Sequence, residues 1–264
     1  MNLELEKKKA FVSGSTAGIG LAIASRLARE GAEVWMNGRS QGRVDAALAQ
    51  IRKEFAKADV HGIAADLGTA EGCNEVVRQL PEVDILVNNV GIFAPRTFEN
   101  ISDQDWEKFF TVNVLSGVRL SRAYLPGMKR RDWGRIVFIS SESALQIPAE
   151  MIHYGTTKTA QLAVARGLAE TCASTRVTVN SVLPGPTASE GVSEFVGQLA
   201  EEKKMSREEF ETDFFEHARP TSLLRRFIEP EEIANVVAFV CSPLASSING
   251  ASVRADGGVI KSIA

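Results

Sequence analysis

Tyr154 and Lys158 stand four residues apart in Tyr154-Gly155-Thr156-Thr157-Lys158, at the head of a helix-like run. That spacing places both side chains on one helix face, a turn from each other. A free phenol titrates near ~10 and is a poor proton donor or acceptor at neutral pH. A neighbouring ammonium favours the phenolate and brings the pKa towards the working range, which makes a general acid/base unit. Alone, the pair is better explained as a solvated helix face. It gains meaning from what lies near the N-terminus.

There the stretch Ser13-Gly14-Ser15-Thr16-Ala17-Gly18-Ile19-Gly20 follows an apolar run and leads straight into a helical one. Glycines allow a tight turn, close backbone approach to a pyrophosphate and close helix–sheet packing. The helix N-terminus adds free N–H groups and partial positive charge for an anion. Placed between the first strand and first helix of a βαβ unit, this is a dinucleotide cradle.

The elements that must carry these groups alternate along the whole chain. Strand-like runs at Lys9–Ser13, Glu33–Met36, Val60–Ala64, Asp84–Val87, Arg135–Ile139, Thr178–Val182 and Ser252–Arg254 are separated by helical stretches. Ala22, Ile23, Leu27 and Ala28 repeat at helical spacing in the first of these, and one long helix is expected from Ser102 to Arg131. The pattern predicts an α/β chain: a doubly wound (Rossmann) parallel sheet of seven strands with helices on both faces. The strands read as continuous apolar runs, as sheets covered on both faces require. The 264 residues are expected to form a single domain, 1–264. Residues 191–227 interrupt the rhythm with Glu, Lys and Phe, and read as a small helical insertion forming a substrate lid.

Net charge of −3 and the lack of a basic stripe argue against nucleic acid, and no apolar run approaches a bilayer-spanning length. Cys73, Cys172 and Cys241 are odd in number and scattered, so neither disulfide framework nor metal site is expected. A cytoplasmic setting is the plain expectation.

The glycine spacing is Gly-x-x-x-Gly-x-Gly, and here the chain resembles the short-chain dehydrogenase/reductase family over nearly its whole length. Ser13 stands for the family's opening threonine, and Asn88-Asn89-Val90-Gly91 matches its Asn-Asn-Ala-Gly motif with valine for alanine. Asn113 falls where the family has its helix asparagine, and Ser141 precedes Tyr154 by the usual thirteen residues. Pro184-Gly185 and Asp256-Gly257-Gly258 follow the sixth and seventh strands.

The resemblance implies a catalytic set of Asn113, Ser141, Tyr154 and Lys158. Tyr154 would exchange a proton with the substrate oxygen. Lys158 would lower the tyrosine pKa and bond the nicotinamide ribose, Ser141 would donate to the substrate carbonyl, and Asn113 would hold a water linking Lys158 to solvent. Gly14, Ser15, Thr16, Gly18, Ile19 and Gly20 would cradle the cofactor. Asn89, Val90, Gly91, Pro184 and Gly185 would line it, and Asp66 and Leu67 would meet the adenine. Thr187 or Ser189 would bond the carboxamide. At the end of the second strand, Gly38 replaces the acid of NAD-preferring relatives and Arg39-Ser40 follows. A guanidinium suits a 2′-phosphate, so the expected cofactor is NADP(H), with NAD(H) a lesser fit.

The implied function is an NADP(H)-dependent oxidoreductase acting on a small-molecule carbonyl or secondary alcohol, associating as a homotetramer or homodimer. Ile92, Leu145, Met151 and Phe195 are expected to make an apolar substrate wall. His153 is read as lining the pocket or solvent, and His61 and His217 as structural. Rival readings are a 3-oxoacyl-(acyl carrier protein) reductase, for whose acidic carrier the net charge offers no support, and a catalytically silent NADP-binding regulator. The second is hard to reconcile with an intact set of four. A hydrolase lacks its Gly-x-Ser-x-Gly elbow.

Overall fold

The computed structural model describes residues 2–189 and 205–263. Its seven parallel strands are β1 (Lys9–Val12), β2 (Glu33–Gly38), β3 (Val60–Ala64), β4 (Ile85–Asn88), β5 (Gly134–Ile139), β6 (Val177–Pro184) and β7 (Ser252–Ala255). They lie in the order β3-β2-β1-β4-β5-β6-β7. Alternate residues of each strand point to opposite faces. Ala10, Val12, Val137 and Ile139 join one buried cluster, whereas Phe11, Ile136 and Phe138 join the other.

Helices α1 (Gly18–Arg29), α2 (Gln41–Glu54) and α3 (Ala70–Gln79) alternate with the first strands. The expected long helix is interrupted. It consists of α4 (Asp103–Phe110), a wider π-helical turn (Thr111–Leu115) and α5 (Ser116–Arg130). The turn carries Asn113. Next come α6 (Ile152–Glu170), α7 (Arg207–Asp213) with a second π-helical turn (Phe214–Ala218), and α8 (Pro230–Cys241). Among the described residues no helix is long and apolar enough to cross a membrane.

Strand order reverses between β1 and β4. The crevice beyond their carboxyl ends is where an open α/β sheet takes its ligand. The glycine loop, the Asn88–Gly91 loop and the loop after β5 all end there.

Candidate active site

The glycine loop is built for close approach. Gly14 and Gly18 adopt φ of 59° and 52°, the left-handed region that favours glycine. A Cβ on Gly20 would lie 2.3 Å from the Gly14 carbonyl oxygen, so the loop folds back on itself only without a side chain there. Helix α1 starts at Gly18 with no side-chain cap from Ala17, and Ala17 to Gly20 border a cavity of about 650 Å³. First-turn N–H groups open to a cavity suit a phosphate-bearing ligand.

Asn89 ties this loop to β4 by donating its amide to the carbonyls of Ser13 and Gly14 at 3.0 and 2.9 Å. Ser13 donates to the Val87 carbonyl and accepts from the N–H groups of Asn89 and Val90. Its hydroxyl therefore fastens the two loops from below. Ser15 is likewise buried, donating to the Val12 carbonyl and accepting from Asn37 N–H. Leu67 and Val90 pack in or against the core, and Thr16 leans towards Gly38, where an added Cβ would meet its methyl at 2.5 Å. Arg39 and Ser40 are exposed just before α2. Asp66 is exposed and accepts from Gly68 N–H, while Thr69 caps α3.

Ser141, Tyr154 and Lys158 meet in the cavity, with Gly91, Pro184, Gly185, Thr187 and Ser189 on its walls. The Thr187 hydroxyl donates to the Gly185 carbonyl at 2.9 Å. Ile92 and Met151 line the cavity as the apolar-wall reading expects. Leu145 does not. The short 3-10 turn Glu142–Ala144 carries it outward, and it is 50% exposed. Phe195 lies outside the described residues, as do residues 191–204 of the expected lid. The described part of that stretch brings Phe210, Phe214, Arg219 and Phe227 to the cavity.

A family model described as short chain dehydrogenase matches residues 8–199. The chain is an oxidoreductase of the short-chain dehydrogenase family. It is 49% identical over 263 residues to the oxidoreductase YvaG of Bacillus subtilis, covering all of both chains. It is 35% identical over 263 residues to the 3-oxoacyl-[acyl-carrier-protein] reductase FabG of Aquifex aeolicus, covering 98% of this chain and 100% of that one. The structure of L-sorbose reductase from Gluconobacter frateurii, complexed with NADPH and L-sorbose, superposes with a TM-score of 0.93 at 29% identity, covering all of both chains.

Three features of this short-chain dehydrogenase set the surroundings of the residues to which the resemblance gives roles. First, the Tyr154 phenol sits above its ordinary pKa, raised by desolvation in the cavity and by the nearby Glu142 carboxylate; bonding to Ser141 and the Arg219 charge act against them. Lys158 lies beside the ring of the phenol. Its Nζ lies 5.6 Å from the Tyr154 ring centroid and donates to the Ile139 carbonyl at 2.8 Å. Burial lowers the Lys158 pKa to about 8, partly offset by Glu142.

Second, Asn113 works as a strap. Its amide accepts from Ile92 N–H at 2.8 Å and donates to the Ile92 carbonyl and to Thr157 Oγ1, each at 3.0 Å. Its main-chain carbonyl accepts from Gln161 Nε2 at 2.5 Å. A carbonyl oxygen has two lone pairs, so this bond leaves one acceptor position on Asn113.

Third, the Ser141 hydroxyl donates to Glu142 Oε2 at 2.5 Å and accepts from Ser143 N–H. Glu142 is only 5% exposed, and its other oxygen accepts from Arg219 Nε at 3.1 Å. Sequence reading passes over both members of this pair. A charged residue directly after the serine was the available signal, but its partner lies 77 positions further on.

The histidines separate by environment. His153 adjoins Tyr154 in sequence but is buried against Phe109, with ring centroids 4.0 Å apart, and burial lowers its pKa. His61 stacks on Trp35. His217, read as structural, borders the cavity in contact with Asp213.

Proposed function

We propose that the chain is an NADP(H)-dependent oxidoreductase that interconverts a carbonyl and a secondary alcohol, with Tyr154 as general acid/base. The observation that carries this reading is the meeting of Ser141, Tyr154 and Lys158 in the cavity onto which the α1 N-terminus opens. A nicotinamide bound there supplies or accepts the hydride. The protein's part is to orient the substrate oxygen and move its proton.

A carbonyl that gains hydride builds negative charge on oxygen, and positioned donors stabilise it. Tyr154 delivers the proton that completes the alcohol. Its raised pKa keeps the phenol protonated and ready to give in the reductive direction. Lys158, with its pKa near 8, holds the adjoining charge and can reprotonate the phenol. Asn113 fixes Ile92 beside the cavity rather than touching the reacting atoms.

The NADP(H) preference rests on Arg39 and Ser40 at the mouth of α2, and on Gly38, where Thr16 leaves no room for an acid. The superposed L-sorbose reductase binds NADPH, which supports the same choice. Asp66 and Leu67 would meet the adenine end, and Gly14, Ser15, Thr16, Gly18, Ile19, Gly20, Asn89, Val90, Gly91, Pro184, Gly185 and Thr187 would hold the rest. The chain is read as one domain, and the described part of the expected lid, residues 205–227, brings Phe210, Phe214 and Phe227 to the substrate cavity. Half-exposed Phe110 and Leu115 support association into a dimer or tetramer through the α4–α5 surface. The buried, unpaired Cys73, Cys172 and Cys241 suit the cytoplasm.

The test is a panel of carbonyls followed by NADPH absorbance. Turnover of at least one, with NADPH preferred to NADH, is the expected result. NADPH binding without any turnover would leave the silent regulator as the better reading.

A further inference from the structure

We infer that Glu142, clamped by Arg219, selects substrates bearing a hydroxyl on the carbon next to the reacting carbonyl and rejects those whose carbonyl carbon carries a carboxylate directly. This rests on the proposed oxidoreductase reading of the cavity and names its substrate class.

A serine hydroxyl has one hydrogen to give. That of Ser141 goes to Glu142 Oε2 at 2.5 Å, so a plain ketone must compete with a carboxylate for it. A substrate hydroxyl beside the carbonyl changes the exchange. It donates to Glu142, the Ser141 hydrogen turns to the carbonyl oxygen, and no polar group is left without a partner. The dimensions agree. Oxygens on adjacent carbons lie about one hydrogen-bond length apart when eclipsed, and Ser141 Oγ and Glu142 Oε2 have the same separation.

The carboxylate is held for such a task. Glu142 Oε1 is bonded to Arg219 Nε, and Arg219 is itself only 11% exposed. This ion pair joins the loop after β5 to the segment after α7. The charge balance then decides against acids. Arg219 also lies 3.7 Å from Glu150, and Asp213 adds a third carboxylate with His217 against it. Among the described residues, these three carboxylates and the cations Arg219 and Lys158 line the cavity. An anionic substituent beside the carbonyl meets an acidic surface whose arginine is already shared, and such like-charge juxtaposition is what excludes wrong substrates. Ile92, Phe93, Met151 and Phe214 accept the carbon skeleton.

The reaction would take an α-hydroxy ketone, NADPH and a proton to a 1,2-diol and NADP+. The new C–H bond comes from hydride and the new O–H bond from Tyr154, while the carbonyl π pair moves to oxygen.

The experiment compares kcat/KM with NADPH for 1-hydroxybutan-2-one, butan-2-one and 2-oxobutanoate. In the wild type, the hydroxy ketone should exceed each of the others by about 10²-fold or more, since a site built to bond a hydroxyl rejects the analogue lacking it. Glu142→Ala should bring the first ratio close to one, and Glu142→Gln should raise the rate on 2-oxobutanoate relative to butan-2-one. Equal wild-type values for hydroxy ketone and ketone overturn the inference even if neither variant folds. A preference that survives Glu142→Ala overturns it too. In both cases turnover itself persists, so the oxidoreductase reading stands. A wild type that binds NADPH yet reduces none of the three overturns the inference, and the wider carbonyl panel then decides the oxidoreductase reading.

Discussion

The ammonium of Lys158 donates to the Ile139 carbonyl at the end of β5, 2.8 Å away, and not to the phenol one turn before it. The helix brings the two side chains to one face, but the strand end claims the proton-bearing group. Burial then lowers the lysine's pKa to about 8. In an unfolded chain a lysine titrates near ~10.4. Between those values the unfolded state binds more protons than the folded one, so stability rises with pH across that window. Unfolding midpoints at pH 7, 8, 9 and 10 should therefore climb in the wild type relative to Lys158→Met, with most of the difference between pH 8 and 10. Parallel profiles would remove the buried ammonium from this account.

Tyr154→Phe keeps the ring and loses the proton. NADPH binding, followed by fluorescence titration, should change little. Turnover should fall by about 10²–10⁴-fold, the usual contribution of a positioned general acid. A variant within a factor of a few of wild type would mean another group delivers the proton.

Arg39→Asp replaces a cation suited to a 2′-phosphate with an anion that repels it. The ratio of kcat/KM for NADPH to that for NADH should drop by about tenfold or more, since ~1.4 kcal/mol suffices for that change. Position 39 can take the acid because it is exposed, whereas position 38 is closed by Thr16. An unchanged ratio would place the phosphate elsewhere.

Asn113→Ala removes three hydrogen bonds and strands both backbone groups of Ile92. A cost of about 2–3 kcal/mol is expected, lowering Tm by roughly 5–10 °C for a chain of this size. Calorimetry decides it. An unaltered Tm would show that the strap carries no load.

The alternation of strand and helix, the glycine cradle and the Ser141–Tyr154–Lys158 spacing were all legible before any coordinates. Each depends on separations of a few residues or on periods set by backbone geometry. The seven-stranded parallel sheet follows because strands covered on both faces and separated by helices call for parallel crossovers, while the order of the strands comes from the structure. Orientation within loops was not legible. Leu145 turns to solvent and His153 turns into Phe109, although each neighbours the site in sequence. The break at Thr111–Leu115 is equally hidden, since the sequence around Asn113 keeps a helical period. The pairing of Glu142 with Arg219 was out of reach altogether. A buried carboxylate must find a cation, but which one depends on how the chain returns over the cavity after β6. Local chemistry determined the reactive groups; long-range packing decided what each of their protons is bonded to.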